Sequence, residues 1–410
     1  MLNDTVPARP AQHPAPPPSL LMTIHRLSQG GADRVAILLV NGFAAAGYAV
    51  DLLVLRDGGE AEGTLLRLLD RRVSVVSAGP AMGSRHLELF RGWRRIQQHI
   101  DETGTAIVVA SSSNMGLVTG LVARCLRARS RPRYPAFVMK LTNPVLRPID
   151  SGKLRKFYRR TLYRLVFGSF DRVLVLTEAE RAEMVAMYPQ IGERFVTVAN
   201  PYLPSEDMVG VRMRKGSVKT QALVLSVARM MPQKRLDRLL RAFALLDDGM
   251  ARLIILGDGP ERLALEQLAH SLEIADRVEM PGFVEDVVPW LRKADLLALS
   301  SDYEGLPAVV FEALACDVPV VTTDSFAGAS ALLSHLPRCA VVGRENPNAL
   351  AAAMRSSLAQ RHHPADLRDH AKPYAVETAI AAHVATLEKL EALTNRRMHR
   401  RIETMWMKPR

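Results

Sequence analysis

The chain has 410 residues, 48% of them hydrophobic and 23% charged, with a formal net charge of +12. That length exceeds one ordinary core and points to two domains, while the apolar runs are too short to span a bilayer and the composition is that of a soluble globular protein. Three cysteines (Cys125, Cys316, Cys339) without a Cys-x-x-Cys pair argue against a disulfide framework or a cysteine zinc site, and for reduced thiols in the cytoplasm.

In chain order, "MLNDTVPARPAQHPAPPPS" comes first; it is Pro-rich, lacks an apolar signal core, and reads as a disordered tail over 1–19. Short Val/Ile/Leu runs then alternate with helical patterns. The spacing predicts strands at 20–24, 49–55, 72–76, 106–110, 136–140, 172–176 and 195–198. A second set is predicted at 222–228, 252–256, 277–280, 295–299, 318–322 and 339–342. Near-continuous apolar strands separated by helices indicate parallel sheets covered on both faces. The fold class is therefore α/β, with two doubly wound domains over 20–199 and 200–385. The join lies near "NPYLPSEDMVG"; a terminal helix is predicted over 376–393, and 386–410 holds the end of that helix and the basic tail "NRRMHRRIETMWMKPR". Ligands of such sheets bind beyond the carboxyl ends of the strands, in the cleft between domains.

The charge is unevenly placed. Residues 1–199 hold 27 Lys and Arg against 16 Asp and Glu, whereas residues 200–410 hold 27 against 26. Residues 85–164 alone hold 17 basic and 4 acidic side chains, in runs such as "RGWRR" and "KLRKFYRR". Such a surface either solubilises the domain or meets something anionic, such as lipid headgroups or an acidic glycan. Few aromatics and no recognisable motif speak for nucleic acid, which is not an expected partner.

Three segments following predicted strands could carry chemistry. In "LSQGGADRVAILLVNGF", Gly30 and Gly31 let backbone approach a ligand at the start of a helix. In "LSVARMMPQKRLDRLLRAF", Arg229 leaves a strand end and Lys234 falls in the first turn of a helix from about 232. Leu236, Leu239, Leu240, Phe243 and Leu246 form that helix's buried stripe. A cation in a first turn opposes the helix dipole, so a bound anion would account for it. In "SSDYEGLPAVVFEALACDVPVV", Glu304 precedes a Gly-Leu-Pro turn, with Pro307 suited to the first helical position. Glu312 lies one to two turns into an apolar helix, where a buried carboxylate needs a partner. The run "LGDGPERL" resembles the start of a dinucleotide fingerprint, but Arg262 stands where the third glycine belongs.

Taken together, Gly30-Gly31, Arg229 with Lys234, the "GDGPER" and "PGFVEDV" turns and the Glu304…Glu312 pair resemble retaining glycosyltransferases of family 4, with GT-B architecture. The resemblance covers nearly all of the chain after the tail. It implies transfer of a sugar from a nucleotide diphosphate sugar with retention of configuration. The first domain would bind a glycan or lipid-linked acceptor and the second the donor. Arg229, Lys234 and Glu304 would be catalytic: the two cations neutralise the diphosphate and Glu304 faces the sugar. Glu312 would hold the ribose hydroxyls, Gly282 and Phe283 would meet the base, and Gly30, Gly31, Asp258, Gly305 and Leu306 would complete the donor site. With two cations at the phosphates and no Asp-x-Asp motif, neither a metal nor another cofactor is expected. Where the family often carries a histidine, this chain has Ser111–Asn114. A cytoplasmic enzyme at the inner membrane surface is the leading expectation; a catalytically silent protein binding a nucleotide sugar or an anionic polymer is the alternative.

Overall fold

Among the described residues, thirteen strands form where thirteen apolar runs predict them. The computed structural model describes residues 17–27, 31–57, 66–129, 135–145, 152–203, 221–246, 249, 251–362 and 365–406; from residue 391 on, only the side chain of residue 392 is described. The Pro-rich tail over 1–16, Gly30 and most of the predicted join (204–220) lie outside them. In the first half, β1 (Ser19–Ile24), β2 (Ala49–Val54), β3 (Val73–Ser77), β4 (Ile107–Ala110), β5 (Ala136–Lys140), β6 (Arg172–Val175) and β7 (Phe195–Thr197) pair in the order β3-β2-β1-β4-β5-β6-β7. In the second half the strands are β8 (Ala222–Val227), β9 (Ala251–Leu256), β10 (Val278–Gly282), β11 (Leu296–Leu299), β12 (Val320–Thr323) and β13 (Ala340–Val342). They pair in the order β10-β9-β8-β11-β12-β13.

Every pairing is parallel. Each β–α–β passage lays a helix on one face, so central strands such as β4, β5, β11 and β12 are buried along their whole length. This is why their sequences read as continuous apolar runs. The stripe Leu236, Leu239, Leu240, Phe243 and Leu246 is buried as its spacing predicts. The two sheets are the doubly wound pair of a GT-B fold.

The chain crosses between the domains twice, and the crossings are paired. Tyr202 and Leu203 both donate backbone N–H bonds to the Tyr374 carbonyl, at 2.9 and 3.0 Å, and Val376 donates to Leu203 at 2.9 Å. The rings of Tyr202 and Tyr374 stack with Phe311 of the Ala308–Ala315 helix. After the return crossing, the last helix (Val376–Trp406) packs on the first domain, against the Gly31–Ala45 helix and β5. It also runs on where the sequence reading has a basic tail, because no Gly or Pro interrupts residues 394–406.

At this contact Gly42 faces Ile380, whose side chain a Cβ on residue 42 would overlap. Gly42→Val is therefore expected to cost on the order of 1–3 kcal/mol through overpacking, and adding Ile380→Ala to recover part of the loss in urea unfolding. Absence of recovery would mean that the last helix does not depend on this contact.

Candidate active site

Lys234 and Glu304 are seventy positions apart and are brought together by a clamp between two turns. Buried Arg238 donates to the Ser300 carbonyl and to Asp302, both at 2.7 Å. The Asp302 amide donates to the Gln233 carbonyl at 2.9 Å, and the Ser300 hydroxyl to the Lys234 carbonyl at 2.9 Å. The result is an ion pair of 2.5 Å between Lys234 Nζ and Glu304 Oε1, an oxygen that also accepts from Ser301 Oγ at 2.6 Å. Glu304 Oε2 takes no hydrogen bond among the described residues.

The placement of Lys234 corrects the sequence reading. Pro232–Lys234 is a single 3₁₀ turn, and the helix begins only at Leu236. Arg235 separates them in a left-handed conformation (φ 48°), held by two bonds to Asp237 at 2.9 and 3.0 Å. Lys234 therefore lies outside the helix, and its site arises from the clamp and not from a helix dipole. Pro307 likewise caps the Ala308–Ala315 helix instead of opening it, with ψ 117°.

Gly305 carries the approach of the two domains. A Cβ there would overlap the carbonyl oxygen of Thr142, which follows β5 of the first domain, so only glycine fits. Nearby, Thr177 Oγ1 donates across the domains to the Ala327 carbonyl at 3.2 Å. Between these contacts and the Gly31–Ala45 helix lies a cavity of about 240 Å³, lined from the second domain by Arg229, Lys234, Glu304, Gly305 and Leu306. Gly31, Ser111, Lys140, Thr142 and Asn200 line it from the first domain. The exposed Arg229 makes no side-chain hydrogen bond or ion pair with the described residues. A larger groove of about 1150 Å³ runs beside the clamp, but its Arg235 and Arg238 are held by Asp237 and Asp302. The smaller cavity is the candidate site.

Other expected residues lie around this cavity without lining it. Glu312 is mostly buried, and the charges acting on it are Arg34 of the first domain and Asp286. Gly282 ends β10 with φ 95°, and Phe283 beyond it is 63% exposed. Asp258 accepts from the Gly259 amide and is paired with Arg262. The glycines of "GDG" have a packing role: Cβ atoms on Gly257 and Gly259 would overlap the Ala228 and Met230 carbonyls. Backbone, not a pyrophosphate, occupies the space they leave. At the histidine-less turn Ser111 faces the cavity and Asn114 is exposed.

Two family models match, one for each half. Residues 30–201 match a glycosyl transferase 4-like domain and residues 211–375 match glycosyl transferases group 1. The chain is a GT-B glycosyltransferase. A glycosyltransferase of Haemophilus influenzae is 25% identical over 75% of this chain and 81% of its own length. A Campylobacter jejuni N-acetylgalactosaminyltransferase, named for an undecaprenol-diphosphate-linked substrate, is 24% identical over 85% of this chain and 91% of its own. Anabaena HepE, solved in complex with UDP, superposes with a TM-score of 0.69 at 19% identity, covering 91% of this chain and 100% of that one.

In this glycosyltransferase, sequence reasoning missed one residue that lines the cavity and its partner on the last helix. Lys140 ends buried β5 and lines the cavity, with its Nζ 2.7 Å from His383 Nε2 on the last helix. His383 Nδ1 faces the Ala379 carbonyl at 2.8 Å, which can only accept, so Nε2 is the bare nitrogen that accepts from Lys140. Burial pushes Lys140 down to about 7 and holds His383 neutral. The signal available beforehand was a lone charge closing the apolar run "AFVMK".

Glu312 makes no side-chain hydrogen bond within the described residues, and burial pushes its carboxyl up to about 7. A folded value above the unfolded one means that its stability contribution is fully present below pH about 4.5 and is lost as pH rises through about 7. Glu312→Gln should accordingly match the parent near pH 4 in thermal unfolding. At pH 8 it should be more stable, by an amount on the order of 2–3 kcal/mol. Equal stability at both pH values would place the carboxylate in water.

Proposed function

We propose that the chain is a retaining glycosyltransferase that moves a sugar from a nucleotide diphosphate sugar to a lipid-linked glycan, glycolipid or surface polysaccharide. It would work on the cytoplasmic side of an anionic membrane and without a metal. The observation that carries this reading is the cavity in which an unpartnered Arg229 and the Lys234–Glu304 pair stand beside the Gly305–Thr142 contact. The Campylobacter relative, named for a lipid-linked substrate, the amylovoran-biosynthesis relative from Erwinia amylovora and the UDP complex of the Anabaena neighbour support the donor and acceptor classes.

Breaking the anomeric bond leaves both electrons of that bond on the leaving phosphate oxygen. Arg229, Lys234 and the backbone N–H groups of Gly305 and Leu306 are the donors available to stabilise that charge. With those two cations at the diphosphate, a metal ion is not required. The acceptor hydroxyl attacks the anomeric carbon from the face that the phosphate leaves, and its proton passes to that phosphate. Glu304, tied to Lys234 and Ser301, faces the sugar as a fixed charge. No covalent sugar adduct is needed. Glu312 takes the ribose hydroxyls, Gly282 and Phe283 meet the base, and Gly30, Gly31 and Asp258 complete the donor site.

A panel of UDP-, GDP- and ADP-sugars tests the reading. Slow hydrolysis of one donor without added metal is expected, with its anomeric configuration retained in the product sugar. No turnover of any donor would overturn it. Arg229→Ala should weaken nucleoside-diphosphate binding about tenfold or more and spare the monophosphate relatively, because a charge-assisted bond contributes about 1.5–3 kcal/mol. Calorimetry with both nucleotides makes the comparison.

Ribose binding by Glu312 also has a pH signature. Its hydroxyls donate to the charged carboxylate, which is protonated below about 7 in the free protein. Nucleotide affinity should therefore fall as pH drops through about 7, and Glu312→Gln should remove that part of the dependence. Parallel pH profiles for parent and variant would reject the ribose role.

A further inference from the structure

The Lys153–Phe167 helix, "KLRKFYRRTLYRLVF", presents an apolar stripe to solvent. Leu154, Phe157, Tyr158 and Leu165 are 82%, 68%, 66% and 54% exposed. Their spacing of three, four and seven places them on one side of the helix. Val166 and Phe167 are buried on the other, with Leu162 and Tyr163 packed against the same core. The helix carries six Lys and Arg and no Asp or Glu; Lys153, Arg155 and Arg164 fall beside the stripe by helical spacing, whereas Arg159 and Arg160 donate to the Val145 and Met187 carbonyls. A large apolar moment with a cationic rim and no opposing charge matches a helix lying in the interface of an anionic bilayer.

The patch extends beyond this helix. The Arg85–Thr103, Ser113–Ala128 and Lys153–Phe167 helices pack side by side, and the first two expose Leu87, Phe90 and Leu121. A helix that follows a parallel strand starts at that strand's carboxyl end, so Leu154 lies at the edge of the sheet that faces the cleft. Lys153 is only eleven positions after Thr142, which lines the cavity.

Resting on the membrane reading above, we propose that this helix is the membrane-docking element. It inserts Leu154, Phe157, Tyr158 and Leu165 at the acyl boundary, sets its cations among anionic headgroups, and holds the cleft open to an acceptor embedded in the same leaflet.

The test uses the full chain and vesicles of phosphatidylglycerol mixed with phosphatidylcholine. The parent should cosediment with them, and Leu154→Ser/Phe157→Ser/Leu165→Ser should weaken binding about tenfold or more, with donor hydrolysis in solution unchanged. Phe157→Trp, which keeps an aromatic, should gain fluorescence that brominated lipids quench relative to the parent. If the parent binds, and the triple variant binds equally while the fluorescence gained in Phe157→Trp stays unquenched, the helix assignment is overturned and the membrane reading stands. If the parent binds no anionic vesicle, both fail. If the parent self-associates in lipid-free sedimentation and the triple variant does not, the face is a contact between copies and the docking assignment is overturned.

Discussion

The paired crossing at Tyr202–Leu203 and Tyr374–Val376 is the constraint from which the cleft follows. One crossing would leave the domains on a single tether. Two crossings bonded to each other, with Tyr202 and Tyr374 stacked on Phe311, fix the rim of the second domain against the first. Phe311 belongs to the helix that carries Glu312, and Tyr202 Oη donates to the Leu306 carbonyl at 2.9 Å in the turn just after Glu304. The Glu304…Glu312 segment is thus held from both sides by the crossover. Past the second crossing, the last helix returns to the first domain and delivers His383 to Lys140. Domain approach, the Glu304 and Glu312 carboxylates and the lysine of the cavity share one mechanical origin.

Apart from the exposed Arg229, the charges in the cleft are kept short of water. Lys234 and Glu304 compensate each other, whereas Glu312 and Lys140 are both pushed toward neutrality by burial, the first upward and the second downward. Holding such groups without charged partners opposes folding, and sites of this kind give up stability for binding. On the function proposed above, a diphosphate arriving here would meet the Lys234–Glu304 pair already in place, and little solvent would need to be reorganised as charge develops on the leaving oxygen. The clamp through Arg238 and Asp302 keeps Lys234 and Glu304 in register, although neither clamp residue lines the cavity.

Much of this was legible in the sequence because parallel α/β sheets write themselves plainly. Buried strands such as "AIVVA" and "LLALS" need no alternation, and each ends where a ligand can be met. Arg229, Lys234, Glu304 and Gly305 were legible for the same reason: each closes or follows such a run. The 3₁₀ turn before Lys234 was not, because the helix begins only after Arg235 adopts a left-handed conformation that its bonds to Asp237 support. Lys140 and His383 escaped notice because their contact spans 243 positions and depends on the return of the last helix. Gly305 reads locally as a turn; that the Thr142 carbonyl requires it is a fact about the other domain.

The division of charge between the halves follows from the same geometry. The second half is nearly balanced, with 27 Lys and Arg against 26 Asp and Glu, and several of its cations are held in internal pairs, among them Arg235 and Arg238 with Asp237 and Asp302. The first domain concentrates its excess in residues 85–164, the stretch that supplies three adjacent outer helices and two cavity-lining strand ends. An enzyme whose donor is a small diffusible nucleotide needs cations only at the phosphates. An acceptor fixed at a surface calls for charge spread over a whole face, because each exposed cation contributes little and salt screens it. The asymmetry between the domains therefore fits the substrates proposed above, one held inside the cleft and the other approached across a plane.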